Sequence, residues 1–117
     1  MKKRILWVSR HSVKDFQVRE LKRVFGDETT VHTCPIDASS AQAIEAVYRQ
    51  GGYDDLVVVA PYSVLDHLCR LGLRPLWSVN PQVEATDSWD FQHGGRFYKF
   101  ERFARVVKLE LVLEDLE

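Results

Sequence analysis

Leu56-Val57-Val58-Val59-Ala60 is the stretch that decides the fold. Five apolar residues run without alternation, so both faces of the segment require cover. A strand with one wet face alternates apolar and polar residues; a strand sandwiched between helical layers does not. Ile5-Leu6-Trp7-Val8 has the same unalternating character. Two such segments within 60 residues point to the centre of a parallel sheet.

Working outward, the intervals carry helical periodicity. Before Leu56, Ala41, Ile44, Val47 and Tyr48 share one helical face, with N-cap candidates from Asp37 to Ser40 and a stop at Gly51-Gly52. After Ala60, Pro61 closes the strand. Ser63 reads as the cap of a helix carrying Val64, Leu65, Leu68 and Leu71, ended by Gly72. Further upstream, Ser12 reads as an N-cap with Asp15 at the capping-box position. Val13, Phe16, Leu21, Val24 and Phe25 then recur at helical spacing as far as Gly26. Thr30-Val31-His32-Thr33-Cys34, stopped by Pro35, and Pro75-Leu76-Trp77-Ser78-Val79 read as the remaining strands. Strand and helix alternate through the first 80 residues, the rhythm of βαβ units with right-handed crossovers.

Beyond Asn80 the pattern changes. Residues 81–95 read as an irregular loop or a loose hairpin arm. Arg96 to Arg102 and Val107-Leu109-Leu111-Leu113 alternate as antiparallel strands do, and the latter is expected on a sheet edge; a helix over Phe100–Val107 competes. The expected whole is a single α/β domain over residues 1–117: a mainly parallel sheet flanked by helices, with an antiparallel C-terminal extension.

Composition narrows the function classes. The chain has 117 residues, a formal net charge of −1 and 28% charged residues, so no global basic field attracts duplex nucleic acid. Lys2-Lys3-Arg4 reads as a solvated end. No apolar run nears the roughly 20 residues of a membrane span, and no leader is visible, so a cytoplasmic protein is expected. Cys34 and Cys69 lack the spacing of a zinc site or a disulfide framework and read as buried thiols. No His, Cys or carboxylate set has metal-ligand spacing, so no metal is expected. Neither a dinucleotide fingerprint nor a P-loop is present, and no cofactor is expected. Trp89, Phe91, Phe97, Tyr98, Phe100 and Phe103 crowd into a short span; they read as cover for the domain's own sheet or, preferably, as the interface of a homodimer.

Ligands of open parallel sheets bind beyond the carboxyl ends of the strands. That rule selects Ser9-Arg10-His11-Ser12, Cys34-Pro35, Pro61-Tyr62-Ser63 and Ser78-Val79-Asn80. Arg10 offers a fixed positive charge and a fork matched to phosphate, and His11 is a residue type that can act as acid, base or neutral donor. Tyr62 is placed to stack on a base, or simply to cover an apolar edge.

Trp7-Val8-Ser9-Arg10-His11 resembles the opening of small CRISPR-associated proteins with a CARF-type, Rossmann-like fold. Val59-Ala60-Pro61, Leu68-Cys69, Gly72 and Leu76-Trp77-Ser78 resemble a second signature of that family in matching order. The likeness stops before residues 81–117. It implies a protein of type III CRISPR defence that binds a cyclic oligoadenylate, with cyclic tetra-adenylate first in view. It also implies opening of the ring by attack of a neighbouring 2′-hydroxyl, without a metal. Arg10 and His11 would be the catalytic pair. Ser9 and the Pro61-Tyr62-Ser63 turn would complete the pocket, to which the strand-end rule adds Ser12, Ser78 and Asn80 as ligand-binding candidates, within a two-fold dimer suited to a two-fold ring. A non-catalytic nucleotide sink or sensor and a protein-interaction module without a nucleotide are the alternatives.

Overall fold

The computed structural model describes residues 2–34, 36 and 39–116. Five strands form the main sheet: β1 (Arg4–Val8), β2 (Thr30–Thr33), β3 (Asp55–Val58), β4 (Leu76–Val79) and, from the end of the chain, Arg102–Arg105. Three helices connect the first four: α1 (Asp15–Phe25), α2 (Ala41–Gln50) and α3 (Tyr62–Arg70). Two further strands and a third between them make a separate small sheet: β5 (Gln82–Val83), β6 (Phe91–His93) and β7 (Arg96–Tyr98). The strand Arg102–Arg105 is therefore β8.

The order β2-β1-β3-β4-β8 has β1 to β4 parallel and β8 antiparallel on the edge. The register pairs Leu6 with His32 on one side and with Leu56 on the other, which makes β1 the central strand. From β1 the chain moves outward to β2, then returns across β1 to β3. The direction of winding thus reverses between β1 and β3.

Unalternating strands need two covers, and two are present. Leu6, Val8, Leu56 and Val58 face Ala41 and Ile44 of α2 and Val64, Leu65 and Leu68 of α3. Ile5, Trp7, Val57 and Leu76 face Leu21 of α1. Ile5, Leu6, Val8, Val57 and Val58 have no exposed surface. Burying each such side chain contributes about 1.5–3 kcal/mol.

Several boundaries differ from the sequence reading. The N-cap of α1 is Lys14, not Ser12, because Gln17 Oε1 accepts the Lys14 backbone N–H at 2.9 Å and closes the turn two residues later. The N-cap of α3 is Pro61; Ser63 lies inside the first turn. At α2, Ser40 is the cap and its Oγ accepts from the Ala43 N–H at 3.2 Å, while Pro35 and Asp37 lie outside the described residues. The ladders stop before Cys34, Val59 and Ala60.

The C-terminal third departs most. The edge strand is Arg102–Arg105 rather than 107–113, and residues 106–116 carry no regular structure. No helix forms over 100–107. The predicted irregular arm holds β5 and β6. Gly94 and Gly95, at φ +58° and +74°, make the two-residue turn between β6 and β7 that only residues tolerant of positive φ allow. The aromatic residues of this region pair within the chain: Phe100 lies 5.3 Å from Phe16 and 5.2 Å from Phe103, and Phe103 lies edge-on to Trp7 at 6.1 Å. They join the extension to α1 and β1.

Candidate functional site

Where β1 and β3 end, a cleft of about 320 Å³ opens. Ser9, Arg10 and His11 line it from the β1 side, and Val59, Ala60 and Pro61 from the β3 side. Ser39, just before α2, completes the wall. This is the point where the winding reverses. The loops after β1 and β3 leave for opposite faces there, so nothing fills the gap between them.

The β1 loop is held in shape. Trp7 is 3% exposed in the core beneath α1, and its indole N–H reaches the His11 carbonyl at 3.4 Å. Ser9 Oγ accepts the His11 backbone N–H at 3.1 Å, a local turn that orients the loop. The Ser9 hydroxyl is thereby a turn-maker as well as part of the wall. Lys14 moves the start of α1 two residues beyond the predicted cap, so Arg10 and His11 stand on a six-residue loop, not on the helix N-terminus.

Arg10 is exposed, and its guanidinium makes no hydrogen bond or ion pair among the described residues. Arg23 pairs with Glu20, Arg49 with Glu45, Arg70 with Asp66 and Arg105 with Asp55, while Arg19 and Arg96, like Arg10, make no ion pair among the described residues. No carboxylate lines the cleft among the described residues. A permanent cation with no anion beside it among the described residues is a site for an external one.

The His11 imidazole meets the ring of His93 edge-on, with centroids 5.8 Å apart and planes at 75°. His93 belongs to the segment 81–95 that reads from sequence as an irregular loop or loose hairpin arm; the hairpin carries it across to the β1 loop. Nothing local in the sequence says where the hairpin docks. Ser39, Val59 and Ala60 also line the cleft without having been singled out.

The remaining predicted residues fall elsewhere. Ser12 is exposed and outside the cleft. Pro61 contributes to it, but Tyr62, 71% exposed, lies beside Trp77 at 6.2 Å, and Ser63 points to solvent. Ser78 is buried under α1, where its Oγ accepts from Gln17 Nε2 at 3.5 Å and donates to Asn80 Oδ1 at 2.9 Å. Ser78 and Asn80 thus tie β4 to α1. They serve the scaffold and do not reach the cleft, because Ser78 shares its sheet face with Leu76 rather than opening upward.

Among the described residues no group of three or more His, Cys, Asp and Glu side chains is placed to hold a metal ion, and no helix is long and apolar enough to cross a membrane. Cys34 and Cys69 are free and half-buried. Comparison with protein-family models, curated proteins and solved structures found no match.

Proposed function

We propose that the cleft binds the phosphodiester of a cyclic oligoadenylate, cyclic tetra-adenylate first, and that Arg10 and His11 act on it. The observation that supports this reading is the Arg10 guanidinium, unpaired among the described residues, beside His11 in a cleft that no described carboxylate lines, at the reversal point of the sheet. At about 320 Å³ the cleft is near the lower end of the roughly 300–1,000 Å³ of small-ligand sites. It therefore takes one segment of a ring and leaves the rest for a second copy of the chain to cover, a two-fold arrangement for a two-fold ligand.

In the proposed reaction the 2′-oxygen of one nucleotide bonds to the adjacent phosphorus, and the bond from phosphorus to the 5′-oxygen breaks. His11 takes the 2′-hydroxyl proton, and the departing 5′-oxygen gains a proton. The products are a 2′,3′-cyclic phosphate and a 5′-hydroxyl, so no co-reactant is consumed. Arg10 holds the charge that builds on the equatorial phosphoryl oxygens, and the loop fixed by Trp7 aligns the attack. A binding-only reading has its own support. The His11 ring has no hydrogen-bond partner among the described residues, whereas a catalytic imidazole is ordinarily oriented by one.

The test is incubation of the pure protein with labelled cyclic tetra-adenylate in EDTA, with products separated by chromatography. Linear products that disappear in His11→Ala, while binding persists, identify a ring nuclease. An intact bound ring identifies a sink or sensor. Arg10→Ala is expected to weaken binding about 10- to 100-fold, as loss of a charge-assisted hydrogen bond worth about 1.5–3 kcal/mol does. Absence of any binding by the wild-type protein overturns the proposal.

A further inference from the structure

Residues 107–116 have the pattern of a strand and none of its bonds. The last backbone bond of the chain is from the Val106 N–H to the Pro75 carbonyl at 2.8 Å; no backbone group from 107 to 116 pairs with another among the described residues. Leu109 alone packs against the core. Val107, Leu111, Val112, Leu113 and Leu116 are 60–97% exposed. Val107, Leu109, Leu111 and Leu113 would share one face of an extended segment, with Lys108, Glu110, Val112 and Glu114 on the other. An exposed apolar segment with open backbone groups is a template for another strand.

We infer that this segment pairs with the same segment of a second copy as a two-fold antiparallel ribbon centred on Leu111. The charges are complementary in that register. It sets Lys108 opposite Glu114 of the partner subunit, Leu109 opposite Leu113 of the partner subunit, and Leu111 opposite its own counterpart. Two-fold symmetry produces each unlike pair twice. Centring on Glu110 opposes that carboxylate to its own counterpart. Centring on Val112 opposes Glu110 to Glu114 of the partner subunit. Centring between residues turns leucines toward charged neighbours. Opposite charges across an antiparallel pair stabilise it and like charges disfavour it. Of the three residue-centred registers from Glu110 to Val112, only the Leu111 centre avoids a like-charge pair; within the chain Lys108 also lies 3.4 Å from Glu110.

The segment leaves β8 beside Pro75, at the amino ends of the parallel strands, and the cleft lies at their carboxyl ends. The ribbon therefore leaves both clefts open and stands independently of the nucleotide reading. A pairing of clefts around a ring would be a second contact, formed only when the ring is added.

Sedimentation equilibrium of the full chain without nucleotide tests the ribbon. The wild-type protein is expected at twice the chain mass. Lys108→Glu or Glu114→Lys alone is expected to raise the dimer dissociation constant at least about tenfold, and the double exchange to restore it. Leu111→Cys is expected to give a symmetric cross-link through position 111 on mild oxidation, identified by peptide mass, with the wild-type protein controlling for Cys34 and Cys69. Circular dichroism checks that each variant is folded. A monomer at all concentrations, or a dimer indifferent to both charge reversals and lacking the cross-link, overturns the inference.

Discussion

Tyr48 shows how one side chain registers its surroundings. Burial pushes its hydroxyl above tyrosine's ordinary value, and the carboxylates of Asp55 and Asp54 push the same way, against Arg105 and Arg49. A raised acid favours its neutral form in the folded state. The contribution is complete below the unfolded value of about 10 and is lost as pH rises through the folded one. Thermal unfolding is therefore expected to fall in midpoint above pH ~10, and Tyr48→Phe to make that fall shallower. The inward side of Tyr48 was legible from helical spacing with Ile44; Arg49 is its chain neighbour, but Asp54, Asp55 and Arg105 come from the start of β3 and from β8 and were not legible. Ser12 and Lys14 show the same limit. Serine is the better cap by type, but the Gln17 side chain reaches back to the Lys14 N–H, and that reach depends on rotamer and packing beside Ser78.

At the scale of elements, β8 is fastened by a side chain as well as by its ladder. Arg105 spans β4 to grip Asp55 of β3 through two bonds of 2.6 and 2.8 Å, and it donates to the Arg74 carbonyl at 2.8 Å. Arg105 is 41% exposed and Asp55 14%, so water moderates the pair. Arg105→Leu is expected to cost about 1–2 kcal/mol in urea unfolding, less than a buried pair would. The four parallel strands were readable because burial on both faces erases alternation. The fifth was misplaced because Val107-Leu109-Leu111-Leu113 alternates better than Arg102-Phe103-Ala104-Arg105 does. Pairing to β4 is decided by register: Ser78 meets Phe103, and Phe103 finds Trp7. That long-range contact has no local signature.

For the whole molecule, stability should be graded from β1 outward. Ile5 to Trp7 are paired on both edges and covered on both faces, while β5, β6 and β7 are short and hold no fully buried residue. Hydrogen exchange is expected to be slowest at Leu6 and Val57 and markedly faster across β5–β7; equal protection of the two sheets would show that they open as one unit. The position of the cleft was legible at this scale, since Ser9, Arg10, His11 and Pro61 follow from strand order alone. Its far wall and His93 were not, since they depend on how separate segments dock.

The edge-on meeting of His11 and His93 makes the hairpin and the cleft thermodynamic partners. A ligand that binds more tightly when His93 rests on His11 stabilises the docked hairpin by the same free energy with which docking strengthens the ligand. Substitutions near Gly94 then register as altered affinity at a site they never touch, and occupancy of the cleft can be read from the mobility of a turn on the neighbouring sheet.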